Sequence, residues 1–197
     1  MDRTDNARLL RAVSDPGPYL GENCVTPYPK GTVLRRWLWL FVQSTLFRWS
    51  PRPLHSFRAG LLKLFGADIT GPVVIFPTAR VVFPWQLSLA PRSMVGPYVN
   101  LYNLAPIRLE YGANLSQYTH LCAGTHDFTR WTMPLVTQPI VIGANAWLGA
   151  DVFVGPGVTI GELCVVGARS VVVNDLPPRQ VCVGAPCRPV RERSVPV

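Results

Sequence analysis

The chain has 197 residues, 48% of them hydrophobic and 15% charged, a balance that makes one folded domain with short attachments and excludes a disordered chain. Its 19 Lys and Arg against 11 Asp and Glu leave a net charge of +8, which suits a polyphosphate ligand or an anionic membrane surface. The arginines are scattered and no nucleic-acid recognition motif accompanies them, so nucleic acid is not expected as a partner.

Residues 1–66 read as an N-terminal extension with helical segments. The apolar stretch from Trp37 to Phe47 is interrupted by Gln43, Ser44 and Thr45 and is too short to span a bilayer. Arg35, Arg36 and Arg48 flank it. It is expected either to pack on the main domain as a helix or to rest on an anionic membrane. Five cysteines, an odd number with no CxxC and no secretory signal, point to reduced thiols in the cytoplasm.

From about residue 67 to 176 the chain repeats with a period of six. Ile69, Ile75 and Val81 open it, followed by Leu89, Val95 and Leu101, then, after a two-residue insertion, Leu109, Leu115 and Leu121. The strongest run is Ile142, Leu148, Val154, Ile160, Val166 and Val172, in which a glycine follows each aliphatic from Gly143 to Gly167. Small residues stand two places before each aliphatic, as Ala146, Val152, Val158, Cys164 and Ser170 do. A period of six fits no α-helix. It fits short strands joined by tight turns, three to a coil, stacked into a parallel β-helix whose aliphatics point inward. The glycines are expected to serve turns with a backbone conformation costly for other residues. The flat, weakly charged outer faces favour contact with copies of the same chain.

The period fails between Leu121 and Ile142, where Val136 is already back in phase, so the excursion covers residues 127–135. It holds Phe128, Trp131 and Met133 and begins at His126, which falls near a corner and faces outward. Histidine ordinarily titrates near ~6.5, so a neutral imidazole placed there suits removal of a hydroxyl proton. His120 lies one unit earlier on a different face and is expected to be peripheral. With only His120 and His126 inside the repeat, a three-histidine zinc site of the carbonic anhydrase kind cannot be built, and no metal is expected.

The stretches LCAGTHDFT, PLVTQPIVIGANAWLGADVFVGPGVTIGE, VVGARSVVVNDLPP and VGAPCRPVRER resemble the hexapeptide-repeat O-acetyltransferases, in particular the colanic acid biosynthesis acetyltransferases, and more distantly the galactoside and maltose acetyltransferases. The likeness runs from about residue 35 to the C-terminus. It implies an all-β main domain, a left-handed parallel β-helix with a short N-terminal helical region and a C-terminal tail at 177–197. It also implies a homotrimer with sites between subunits and acetyl-CoA as the donor. In the resemblance His126 is the catalytic base and Trp147 lines the acetyl and pantetheine end of the site. Ala150 and Ala168 lie at turns beside the pantetheine arm, and Arg188 and Arg191 meet the phosphates. Either Asn100 or Asn103 stands near the asparagine that touches acceptor in galactoside relatives. Asp127 and Trp131 are expected to shape the acceptor pocket. The implied reaction is O-acetylation of a sugar hydroxyl in exopolysaccharide or glycoconjugate biosynthesis, at the inner face of the membrane if the acceptor is lipid-linked. The alternatives are a non-sugar acceptor, such as an antibiotic or serine, and a non-catalytic membrane-associated scaffold.

Overall fold

Tight turns and inward aliphatics build the prism that the period predicts. The structure, a computed structural model, describes residues 29–130 and 133–194. The first coil comprises β1 (Asp68–Ile69), β2 (Val74–Ile75) and β3 (Arg80–Val81), and the second β4 (Leu87–Leu89), β5 (Met94–Val95) and β6 (Asn100–Tyr102). The third is β7 (Ile107–Leu109), β8 (Asn114–Leu115) and β9 (His120–Cys122). After an excursion formed by β10 (Gly124–His126) and β11 (Leu135–Thr137), the coils resume as β12 (Ile140–Ile142), β13 (Trp147–Leu148) and β14 (Phe153–Val154). A further coil holds β15 (Thr159–Ile160), β16 (Val165–Val166) and β17 (Val171–Val172), and β18 (Gln180–Gly184) and β19 (Cys187–Glu192) close the chain.

Stacking puts like positions in register. One wall carries Ile69, Leu89, Leu109, Ile142 and Ile160, the second Ile75, Val95, Leu115, Leu148, Val166 and Cys182, and the third Val81, Leu101, Leu121, Val154 and Val172. Every one of these side chains is buried. Burial on this scale is the main favourable contribution to folding, since each such side chain is worth roughly 1.5–3 kcal/mol out of water.

The glycines that follow the aliphatics have a different cause from the one expected. Gly143, Gly149, Gly155, Gly161 and Gly167 do not have left-handed φ. Left-handed φ falls instead two places further on, at Asn145 (54°), Asp151 (60°), Gly157 (80°), Leu163 (57°) and Arg169 (60°), where a glycine is the exception. What constrains Gly143 is the next coil: a β-carbon there would lie 2.6 Å from Glu162 N and 2.7 Å from Ile160 O.

The helical segments seal the open end of the prism. Strand β3 turns one edge to the second coil and leaves the N–H and C=O of Val81 pointing away along the axis. An open edge of this kind invites unwanted pairing. Helix α1 (Lys30–Val42), continued by a π-helical turn at Gln43–Phe47, covers it. The indole N–H of Trp39 donates to Val81 O at 2.7 Å, and Val81 N–H donates to Gln43 Oε1 at 2.7 Å. Helix α2 (His55–Leu64) does the same for β2, where Arg58 Nε–H donates to Ile75 O at 2.7 Å. Gln43, the polar interruption of the apolar stretch, is therefore an edge cap.

The far end is closed by an antiparallel hairpin in place of a loose tail. β18 continues the second wall through Val166↔Cys182, and β19 folds back on β18.

Candidate active site

His126 stands at the end of β10, at the corner between the wall of β9 and the wall of β12. The break in the period is a hairpin: Gly124, Thr125 and His126 pair antiparallel with Thr137, Val136 and Leu135. It leaves the prism at Gly124, three residues before the excursion read from the sequence, and carries the exposed His126 clear of the wall. The imidazole is oriented by its own hairpin, because His126 Nδ1–H donates to Met133 O at 2.6 Å. A carbonyl can only accept, so Nδ1 holds the ring proton of the neutral imidazole and Nε2 keeps its lone pair. An exposed Nε2 lone pair at a corner is the equipment of a general base.

Asp127 organises the turn beyond it. Its Oδ1 accepts from the Thr129 hydroxyl at 2.6 Å and from Thr129 N–H at 3.0 Å, and these bonds, the hydroxyl's first, hold the carboxyl below the usual carboxylate range. The Asp127 N–H donates to Pro134 O at 3.0 Å, which locks the base of the loop. Trp131 lies outside the described residues.

A second cluster forms a different corner, where the wall of β13 turns into the wall of β14. A groove of about 380 Å³ runs there past Gln117, Tyr118, Ala150, Asp151, Ala168 and Arg169. Ala150 and Ala168, expected together from the resemblance, line it on successive coils. Arg169 N–H donates to Ala150 O at 2.9 Å, which holds the two turns in step. Trp147 projects from the outer side of β13 and is 46% exposed, with its indole N–H donating to Ser116 Oγ at 2.9 Å next to the groove. Arg188 and Arg191 ride on β19 opposite Val183 and Val181 and are exposed. They belong to the wall of β13, β16 and β18, so they share that side with the groove.

The two asparagines separate. Asn103 cannot meet an acceptor: it is fully buried, its Oδ1 accepts from Val82 N–H and Phe83 N–H at 3.0 and 2.9 Å, and its Nδ2–H donates to Phe83 O. It is a structural clamp beside the two-residue insertion. Asn100 lies on the outer face of β6, where Nδ2–H donates to His120 Nε2 at 3.2 Å and Oδ1 has no partner among the described residues. His120 itself is packed edge-on against Phe153 (5.5 Å) and Tyr102 (6.5 Å), and burial lowers its pKa and favours the neutral ring.

Sequence reasoning placed Met133 in the excursion without its role, and missed Thr129 and Ser116; each of the three positions a predicted residue. Val136, read as back in phase with the repeat, is instead exposed on the returning strand of the hairpin, so the excursion runs on to Thr137; nothing in the sequence marks the Met133 carbonyl. No cluster of three or more metal-ligating side chains occurs among the described residues.

Comparison with known proteins gives the family and the fold. The family described as bacterial transferase hexapeptide (six repeats) matches residues 139–174. The Escherichia coli (strain K12) protein assigned to colanic acid biosynthesis as the acetyltransferase WcaF is 47% identical over 163 residues, covering 83% of this chain and 90% of its own length. In fold, the chain is similar to a galactoside acetyltransferase solved in complex with coenzyme A (TM-score 0.75, 24% identity, 86% of each chain). It is similar also to a maltose O-acetyltransferase from Clostridium difficile 630 (TM-score 0.75, 22% identity, 85% of this chain and 90% of that one).

Proposed function

This chain belongs to the hexapeptide-repeat acetyltransferases, as 47% identity over 83% of its length establishes, and from that premise we propose that it transfers an acetyl group from acetyl-CoA to a sugar hydroxyl in polysaccharide or glycoconjugate biosynthesis. The observation that carries the reading is the His126–Met133 hydrogen bond at 2.6 Å, which leaves Nε2 free to take a proton.

His126 Nε2 accepts the acceptor's hydroxyl proton as that oxygen attacks the thioester carbonyl. The C–O bond forms, the C–S bond breaks, and the imidazolium returns the proton to the departing thiolate. The groove at Ala150 and Ala168 takes the pantetheine arm, Trp147 covers its acetyl end, and Arg188 and Arg191 pair with the phosphates. Asn100, whose unpaired amide oxygen is buried in the single chain, is the asparagine that remains a candidate for the acceptor.

The two halves occupy different edges of one prism, which supports a homotrimer whose sites form between neighbours, His126 from one copy and the groove from the next. An acceptor carried on a lipid, met by peripheral contact at the cytoplasmic face of the membrane, fits the basic N-terminal region. No helix among the described residues is long and apolar enough to cross a membrane.

The test is thiol release from acetyl-CoA across a panel of sugars and glycolipids, for the native chain and for His126→Ala. Acceptor-dependent release is expected, falling about 10²- to 10⁴-fold in the variant. Release that survives His126→Ala unchanged removes the base from the mechanism. No release and no CoA binding would leave a scaffold.

A further inference from the structure

Helices α1 and α2 spend their inner sides on sealing the first coil, and their outer sides are apolar as well. On α1, Leu34, Trp37, Leu38 and Phe41 are all exposed, with Trp37 and Phe41 each 67% exposed. Their spacing is i, i+3, i+4, i+7, which is one continuous stripe. On α2, Phe57 and Leu64 are exposed at i and i+7, with the glycine Gly60 between them on the same face. Trp49, just past the π-helical turn, is 83% exposed. Packing against the prism accounts for Trp39, Phe47 and Leu62, which are buried, and for none of these outer residues.

Charge is concentrated on the same cap. Residues 30–67 hold seven of the chain's 19 Lys and Arg and none of its 11 Asp and Glu. The remaining 12 cations and 11 anions nearly cancel, so the net charge of +8 resides almost wholly in this segment, in the two helices and the turn between them that carries Arg48 and Arg52. A second copy of the cap would bring like charge onto like charge, because a two-fold contact sets the same patch against itself. A partner that fits must be apolar and anionic over the same area. A bilayer with anionic headgroups above its acyl chains is both.

We infer that the helical cap is an in-plane anchor, laying the outer stripes of α1 and α2 into an anionic lipid surface with Lys30 and Lys63 at headgroup level. The inference rests on the peripheral membrane contact proposed above and makes it specific. The bonds from Trp39, Gln43 and Arg58 reach Val81 and Ile75, whose free edge groups point along the prism axis, so the cap covers the end of the prism. The axis then stands away from the lipid. Strand spacing of about 4.8 Å per coil puts the third coil, which leads into His126, only about 10 Å above the first. The cap helices lie between the lipid and the first coil and add about 10 Å, so the base stands about 20 Å from the lipid and an acceptor sugar must be carried that far out on its lipid.

Sedimentation of the full chain with sonicated vesicles tests this. Native protein is expected to bind phosphatidylglycerol vesicles, to bind phosphatidylcholine vesicles weakly, and to lose binding as salt is raised. The double change Trp37→Ser with Phe41→Ser should lower the partition coefficient about a hundredfold, near tenfold per residue. Lys30→Glu with Lys63→Glu should lower it on anionic vesicles by at least about fivefold per cation removed. Both variants should keep the native melting midpoint and the native kcat/KM on a soluble sugar. Native protein that stays in the supernatant overturns the inference, as does a stripe variant that sediments like native. A stripe variant that loses subunits in light scattering also overturns it and assigns the stripe to contact between copies. Failure of native protein to release thiol with any soluble sugar would count against the acetyltransferase reading instead, whatever the vesicles show.

Discussion

Gly143 and Gly155 occupy the same step of the repeat, yet alanine is expected to act in opposite directions at the two. A β-carbon at Gly143 would meet three backbone atoms, Glu162 N, Gly161 C and Ile160 O, at 2.6–2.7 Å. Ordinary contact begins at 3.4 Å, so the coils must part locally by about 0.7 Å. They are held where they are by Gly143 N–H donating to Ile160 O at 2.8 Å and by Val141 N–H donating to Val158 O at 3.1 Å. Overpacking strain of 1–3 kcal/mol plus one weakened hydrogen bond gives a cost of about 3 kcal/mol. At 2–4 °C per kcal/mol for a chain of this size, Gly143→Ala should melt about 6–12 °C lower. At Gly155 the nearest atoms are Val172 O at 3.5 Å and a Val173 methyl at 3.7 Å, and φ is not left-handed. Gly155→Ala should therefore gain about 0.4–1 kcal/mol through the unfolded chain's lost freedom and melt about 1–4 °C higher. The assay is thermal circular dichroism at one fixed protein concentration. Equal shifts in the two variants would refute backbone proximity as the reason for the glycines.

Arg188→Ala with Arg191→Ala should raise KM for acetyl-CoA about tenfold or more while leaving kcat nearly unchanged. Mixed one-to-one with His126→Ala subunits and reassembled, that variant should recover about one intact site in four, since each half-site is native half the time; no recovery would place both halves in one chain. For Asp127, the depressed folded pKa means that its contribution to the hairpin is fully present above the ordinary aspartate value of ~3.9 and is lost as pH falls through the lower folded value. Carbon NMR titration should show that low midpoint, and Thr129→Val should raise it. Burial pushes the Cys164 thiol up to about 12 and raises those of Cys182 and Cys187, so these three should resist a thiol reagent at pH 8 until the chain is unfolded.

Where the sequence was readable, the cause lies in repetition. An inward aliphatic every sixth residue constrains every coil in the same way, so Ile142 to Val172 announce the walls, and Ile69 to Leu121 follow by phase. The failure of that period announced the hairpin. What the sequence did not carry depends on single contacts between distant segments. Asn103 looked like a polar residue near a site until its amide met Val82 and Phe83, 21 and 20 residues away. The glycines looked like turn residues because composition alone cannot separate a demand on φ from a demand on space. Gln43 looked like an interruption of an apolar segment, and its reason is an unpaired N–H 38 residues downstream.

The same physics explains why chemistry belongs at the hairpin. A closed prism commits its inward side chains to the core and its backbone N–H and C=O groups to the coils above and below. Its strands offer catalysis only outward side chains, which lie flat on a wall and are open to neighbours on every side. His120 is such a residue, and it is absorbed by Asn100, Phe153 and Tyr102. The hairpin frees a few residues from the repeat and still gives them a paired frame, so that one carbonyl, that of Met133, can fix a tautomer. Rigid support with an exposed lone pair is available there and not on the walls. That corner is one edge of the prism and the groove is another, so in the proposed reaction a single chain keeps the donor site and the base apart. In the homotrimer proposed above, the weakly charged walls are what would bring one copy's corner to the next copy's groove.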